Sequence, residues 1–339
     1  MKECILTVKS SSSLPMMRTG YTKILLEVFS QHNINVHQIL EDSGLPPDLF
    51  DTDKDFLPVE PVRRMVYLLS SQVGVNNFSQ LMRLAFRQRV IPQILGMFEQ
   101  CETVRDALSI SYEVFSYDTP GSQVNLVQEG TSHWFCRGAT YEDTPGFIWG
   151  ELFAILYIEE LLQALTQTDW KLKKVRIQHT IPDVVEAALG KSVQLFVGHN
   201  NTEVFIDDET LNTKVNIRES DRQLKSPLVE WHTSFSDSVF TALLPYVKEH
   251  SLTVEQAAKL LKMTPRTFQR RLKDERTSFR KVKESLMLSA SCELMEEGHS
   301  LTHIASQLGY NNISHYSRAF KRITGLTPKS YRKSILGLT

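Results

Sequence analysis

Cysteine is scarce in this 339-residue chain: Cys4, Cys101, Cys136 and Cys292 are widely scattered and form no Cys-x-x-Cys pair. That excludes a disulfide framework and a zinc knuckle, and it fits a reducing compartment. Long apolar runs are lacking too. The most apolar stretch, residues 146–162, is interrupted by Glu151, Glu159 and Glu160, short of the roughly 20 apolar residues a membrane span needs. Residues 1–10 contain Glu3 and no apolar stretch of signal-peptide length, so a cytoplasmic protein with no membrane partner is expected. No Gly-rich phosphate loop, His-Glu-x-x-His or nucleophile elbow occurs, and His133, His179 and His199 lack metal-ligand spacing. Neither an enzyme, a metal site nor a cofactor is expected.

What is present is an ordinary globular composition, 41% apolar and 23% charged, in a chain long enough for two or three domains. The net charge of −1 conceals a division. Residues 236–339 hold 17 Lys and Arg against 9 Asp and Glu, a balance of +8, whereas the rest holds 21 against 30, a balance of −9. A basic tail points to a polyanionic partner.

The front of the chain reads as an α+β domain over residues 1–217. Apolar spacing predicts two short helices between residues 21 and 40, then helices over 62–73, 78–86 and 104–115. Val124, Leu126, Trp134 and Cys136 alternate with more polar residues across Glu129-Gly130, as in a hairpin. A long helix is expected over 147–165, a strand at Val175 and Ile177, a helix over 182–189 and a short strand over 204–206. Residues 218–235 are polar with little periodicity and read as a linker, and residues 236–339 read as all-α.

The basic tail contains an internal repeat. Shifted by 47 residues, Ala258 falls on Ala305 and Leu261 on Leu308; one extra residue then pairs Phe268 with Tyr316, Arg270 with Arg318 and Leu272 with Phe320. Each copy is a helix, a tight turn and a second helix with a polar outer face, the pattern of a helix-turn-helix. In the first copy Thr264 is the expected N-cap, Pro265 opens the second helix, and Arg266, Gln269 and Arg270 share one face. In the second, Asn312 is the expected cap, with Ser314, His315 and Arg318 on the outer side. Arginine forks onto guanine and glutamine onto adenine, so these residues are candidate base readers. Between the copies Phe279, Val282, Leu286, Ala290 and Leu294 keep helical spacing. A connecting helix of about 28 Å is near the scale needed to set two recognition helices about 34 Å apart, in successive major grooves.

In Ile304-Ala305-x-x-x-Gly309-Tyr310, Ser314-x-Tyr316-Ser317-Arg318-x-Phe320-Lys321 and Gly325-x-Thr327-Pro328-x-x-Tyr331-Arg332, the last 100 or so residues resemble the AraC/XylS family of bacterial transcription regulators. The resemblance implies base reading by Arg266, Gln269, Arg270, Ser314, His315 and Arg318, and phosphate contacts from Thr264, Arg271, Asn312, Lys321 and Arg322. It also implies a double-stranded operator, RNA polymerase as a partner, a homodimer and activation as the output. Leu286 departs from the arginine often found there in the family, and Tyr316 from the commoner phenylalanine. Through Gly44-Leu45-Pro46, the Pro58 region and Asn200-Asn201-x-x-x-Phe205, the front domain resembles the ligand-binding domain of the subset with ornithine-responsive regulators, arabinose-binding-like in type. That implies a sensor for a small-molecule effector.

Within this domain the aromatic residues from Trp134 to Tyr157 either pack an interior or line a pocket, and Arg137 either faces solvent or meets an anionic ligand. Trp134, Arg137, Tyr141 and Trp149 are the pocket candidates. Two other functions compete: a ligand-independent architectural DNA binder, and a DNA-repair alkyl acceptor. The second requires an activated cysteine in a metal cluster or a Pro-Cys-His type site, and none of the four cysteines has such neighbours.

Overall fold

The structure is a computed structural model that describes residues 14–32, 34–52, 54–119, 123–139, 141–142, 144–217, 234–247 and 252–337. The first ten residues lie outside the described residues, as does the expected linker except Ser234 and Phe235. The chain forms two compact units. Of the described residues, the first comprises 15–47 and 61–217, and the second residue 14, 48–60 and 234–337.

The first unit opens with β1 (Met16–Arg18), α1 (Thr19–Ser30) and α2 (Val36–Ser43). After β2 (Phe56–Pro58), which groups with the second unit, come α3 (Val59–Val73), α4 (Val75–Ala85), α5 (Pro92–Leu95), α6 (Val104–Ser109) and α7 (Ser111–Asp118). The single helix expected over 104–115 is two helices, broken at Ile110 with φ −93° and ψ 0°. The hydroxyls of Ser109 and Ser111 donate to the carbonyls of Asp106 and Leu108 at 2.6 Å, local bonds that compete with a continuous ladder.

The sheet is built from β3 (Gln123–Glu129), β4 (Ser132–Gly138), β5 (Lys174–Arg176), β6 (Gln194–Phe196) and β7 (Thr202–Ile206), in the spatial order β3-β4-β7-β5-β6. The expected hairpin is present, with Glu129 opposite Ser132 across Gly130 and Thr131. Helices α8 (Phe147–Thr166), α9 (Asp183–Leu189) and α10 (Asp208–Leu211) complete the unit. The three-residue β6 pairs parallel with β5 at the edge of the sheet, and it is too short for a period-2 pattern to mark it in advance.

Strand alternation divides the sheet residues between two faces. Phe135, Arg137 and Thr202 turn toward α8: Phe135 meets Phe115 at 6.1 Å between ring centroids, and Thr202 donates to Glu151 of α8 at 2.8 Å. Trp134, Glu203, Phe205 and Arg176 occupy the other face, where the Arg176 guanidinium lies 3.8 Å over the Trp134 ring and 2.8 Å from Glu203. The three glutamates inside the apolar α8 stretch are buried but bonded. Glu159 meets Arg83 and Glu160 meets Arg87, both pairs at 2.7 Å, while Glu151 accepts from Thr202 and from the backbone of Gln178 and His179. A carboxylate is tolerated in an interior on those terms.

In the second unit follow α11 (Phe235–Leu243), α12 (Val254–Leu260), α13 (Pro265–Asp274), α14 (Phe279–Glu296), α15 (Leu301–Gln307), α16 (Ile313–Thr324) and α17 (Pro328–Ser334). Residues 48–60 belong here because Phe56 and Leu57 are buried where β2 packs on α11. Lys54 meets Glu293 at 2.7 Å and Glu60 meets Lys262 at 3.5 Å. A division of the chain into consecutive spans does not foresee this segment.

Candidate nucleic-acid interface

The two repeats close their corners in the same way, although the second turn is one residue longer. In the first, α12 is capped by Thr253, which forms a capping box with Gln256; in the second, Ser300 caps α15 by accepting from the His303 N–H. Ala258 and Ala305, the small residues the repeat aligned, are buried at the helix crossings. Each turn then places one residue in the left-handed region, Lys262 at φ 54° and Gly309 at φ 75°. The next N–H reaches back six residues inclusive in both copies, Met263 to the Ala258 carbonyl at 2.8 Å and Tyr310 to that of Ala305 at 2.9 Å. That is the 6→1 bond of a Schellman closure, which ends the first helix and aims the chain into the second.

Helices α13 and α16 are the second members. Thr264 accepts from the Thr267 N–H at 3.1 Å and Asn312 from the His315 N–H at 2.9 Å, so both expected caps are in place. Inward, Phe268 and Leu272 in α13, and Tyr316 and Phe320 in α16, are fully buried. Outward, Arg266, Gln269 and Arg270 are exposed on α13, and Ser314, His315 and Arg318 on α16. The phosphate candidates divide. Thr264, Asn312 and Lys321 are exposed, with the side chains of Thr264 and Asn312 engaged as caps. Arg322 is exposed but paired with Glu284 of α14 at 3.1 Å. Arg271 is only partly exposed and lies 3.9 Å over the Phe235 ring; burial lowers its pKa, with Glu275 opposing.

Three basic residues not singled out in the sequence join this surface. Lys273, Arg280 and Lys283 line, together with Gln269, a groove of about 900 Å³ beside α13. They lie on two helices separated by a turn, so nothing in their linear spacing marks a common wall. Helix α14 joins the copies with 18 residues, a rise of about 27 Å. Leu286, at the position where the related family often carries arginine, is fully buried on it.

Residues 257–334, from α12 to the end of α17, match a family model described as a helix-turn-helix domain. The second unit contains an AraC-type helix-turn-helix domain. Over 82 residues the chain is 35% identical to the uncharacterised HTH-type transcriptional regulator Rv1395 of Mycobacterium tuberculosis, a match covering 24% of each protein. The HTH-type transcriptional activator CsvR of Escherichia coli is 23% identical over 148 residues, covering 43% of this chain and 55% of that protein. The HTH-type transcriptional regulator AdiY of Escherichia coli K12 is 31% identical over 98 residues, 28% of this chain and 38% of that one. The chain thus spans about a quarter to about half the length of these relatives. A solved structure, the transcriptional regulator CdpR of Pseudomonas aeruginosa, aligns over 92% of this chain and 97% of its own at 15% identity, with a TM-score of 0.34.

Beside the AraC-type domain, the four pocket candidates of the first unit do not share one wall. Trp134 lies on the sheet face opposite Arg137, covered by Arg176 and set edge-on to Phe205 at 5.6 Å. Trp149 is buried against Phe78 of α4 at 5.1 Å. Tyr141 is exposed, with its ring 5.0 Å from Phe147 and 6.2 Å from His179. Arg137, facing α8, stands next to the end of β4; burial and the positive charge of Arg63 bring its pKa down to about 10, against the attraction of Glu151. Among the described residues no group of three His, Cys, Asp or Glu is placed to hold a metal ion, and no helix is long and apolar enough to cross a membrane.

Proposed function

We propose that this protein is a sequence-specific, DNA-binding transcription regulator that inserts α13 and α16 into adjacent major grooves. The observation that carries the reading is the repetition itself: two helix pairs, each with side-chain caps, a left-handed turn residue and a buried aromatic inner face, each presenting an outer row of arginine and other polar side chains. On this reading Arg266, Gln269 and Arg270 read one block of bases, and Ser314, His315 and Arg318 the other. Thr264, Asn312, Lys321 and Arg322 position the domain on phosphates, with Arg271 contributing from its place on Phe235. Lys273, Arg280 and Lys283 add to the positive groove.

The first unit is the effector sensor and the homodimerisation element, and the output is activation through RNA polymerase in the cytoplasm. The activator name of CsvR supports that sign. Effector binding acts by favouring one placement of the two DNA-binding domains of a dimer over another, which requires different affinities for the two states. The alkyl-acceptor alternative is weakened by the thiols themselves: burial pushes both Cys101 and Cys292 up, away from the thiolate such chemistry needs.

The test is selection from a random DNA library with the full-length protein at moderate salt. The expected product is a motif with two specific blocks about one helical turn apart. An enriched pool with a single block assigns reading to one helix pair; an unenriched pool removes sequence-specific binding and favours an architectural role.

A further inference from the structure

We propose that Arg280 of α14 enters the minor groove between the two blocks of bases read by α13 and α16, and makes the protein prefer A·T pairs there. The proposal rests on the reading of α13 and α16 as recognition helices, and it assigns specificity at base pairs that neither of them touches.

Arg280, Lys283 and Glu284 share one face of α14, and that face lies between the two outer rows. On one side, Arg280 and Lys283 line the groove of about 900 Å³ that includes Gln269 and Lys273 of α13. On the other, the same two residues line a second groove, of about 290 Å³, that includes Glu284 and Arg322 of α16. Gln269 belongs to the base-reading row of α13, with Lys273 one turn further along, and Arg322 lies one turn beyond Arg318 on α16. The start of α14 thus bridges the outer rows of both recognition helices. Along one side of a B-form duplex a minor groove separates two successive major grooves. A surface set between helices that occupy those major grooves faces that minor groove.

Reach and chemistry single out Arg280 on this face. Lys283 donates to the Leu252 carbonyl at 3.0 Å, which holds its ammonium against the protein. Arg322 crosses to Glu284 at 3.1 Å and is held against α14. Arg280 has 73% of its side chain exposed, and it meets Glu284 one turn along its own helix at 3.2 Å. An exposed pair of that kind is weak, and a stronger anionic field displaces it. The narrow minor groove of A·T-rich DNA supplies such a field, and a guanidinium sheds water into it more readily than an ammonium. G·C pairs oppose entry, because the guanine amino group is a donor on the groove floor and an arginine side chain has only donors to offer. Glu284 also argues against a plain phosphate clamp at this point, since a phosphate laid over the middle of the face would meet its carboxylate. A groove placed there puts its phosphates to either side, toward Lys273 and Arg322.

The test starts from the site selected with the full-length protein and compares its affinity for duplexes whose central base pairs, between the two blocks, are A·T, G·C or inosine·C. Inosine lacks the guanine amino group, so inosine·C presents the major groove of G·C and the minor groove of A·T. The wild type is expected to bind the A·T and inosine·C centres alike and the G·C centre about tenfold more weakly. Arg280→Ala is expected to bind all of them within about twofold of one another, while Lys281→Ala, at an exposed neighbour on the same helix, keeps the wild-type order. Equal wild-type affinity for every centre, inosine·C behaving as G·C, or a preference that persists in R280A overturns the proposal, the last by assigning the preference to bending of the DNA. Loss of the preference in K281A as well reduces the effect to total charge and overturns it. Where R280A does not fold, R280Q makes the same comparison, and failure of both assigns Arg280 a structural role and overturns it. The selection itself separates the two readings. Two blocks with no central preference remove the role of Arg280 alone; a pool without two blocks removes the pair of recognition helices and this role with it.

Discussion

Tyr316 occupies in the second helix pair the place Phe268 occupies in the first, and both rings are fully buried. The ring packs on Tyr310 and Phe320 at 5.6 and 5.8 Å, but the hydroxyl, enclosed beside Ser291, has no hydrogen bond of good geometry among the described residues. Burial pushes its pKa up to about 12. Tyr316→Phe is therefore expected to preserve stability or raise it by about 1 kcal/mol, measured by denaturant unfolding. A loss of that size would show that Ser291 holds the hydroxyl. On the outer rows, Arg270→Ala or Arg318→Ala should cost about 1 to 3 kcal/mol on the selected site and relax base preference at one position only. Lys321→Ala should instead weaken every sequence equally, and a repeat selection with each variant distinguishes the two outcomes. These residues were legible in advance because exposure on a capped helix follows from the 3.6-residue period. The ion pair that restrains Arg322 was not, because Glu284 lies on a different helix.

At the scale of the element, the turn of each helix pair demands a left-handed residue, and the two copies supply it differently. Gly309 adopts φ 75° without a Cβ penalty, whereas Lys262 adopts φ 54° with one. Gly309→Ala should destabilise the second unit by about 1 kcal/mol, while Lys262→Gly should be near neutral, since the relief of strain offsets lost chain stiffness. Equal losses in both would place the turn's stability in side-chain contacts instead. Helix α11 is capped from outside: Glu275 accepts from the N–H groups of Phe235 and Ser236, each at 2.7 Å. Burial pushes the Glu275 carboxyl up, but these bonds prevail and hold it below its ordinary value. Its stabilising effect is consequently complete above the unfolded-state value and is lost as pH falls through the folded one. Glu275→Ala should cost about 1 kcal/mol at pH 7 and progressively less below pH 4, seen as converging unfolding midpoints. The helices and the hairpin of the first unit followed their apolar periods. The break at Ile110 and the strand β6 did not, since a serine bonding back to its own turn and a three-residue edge strand carry no periodic signature.

At the scale of the molecule, the opposite charges of the two ends of the chain make a prediction about binding. With the basic residues concentrated after residue 236, six to ten phosphate contacts should lower affinity about 10³- to 10⁵-fold between 50 and 200 mM salt. A shallow slope in a filter-binding or fluorescence titration would argue against extensive phosphate contact. The sequence by itself determined the helix pairs, their caps and their outward rows, because each depends on neighbours within about four residues, and the aligned repeat supplied a second reading of the same pattern. It also determined that residues 236–339 are basic. Tertiary structure alone decided that residues 48–60 pack with the second unit, that Trp134 and Arg137 face opposite sides of one sheet, and that three buried glutamates find partners on other elements. Those outcomes depend on which distant segments are brought together, and a sum of local preferences contains no term for them.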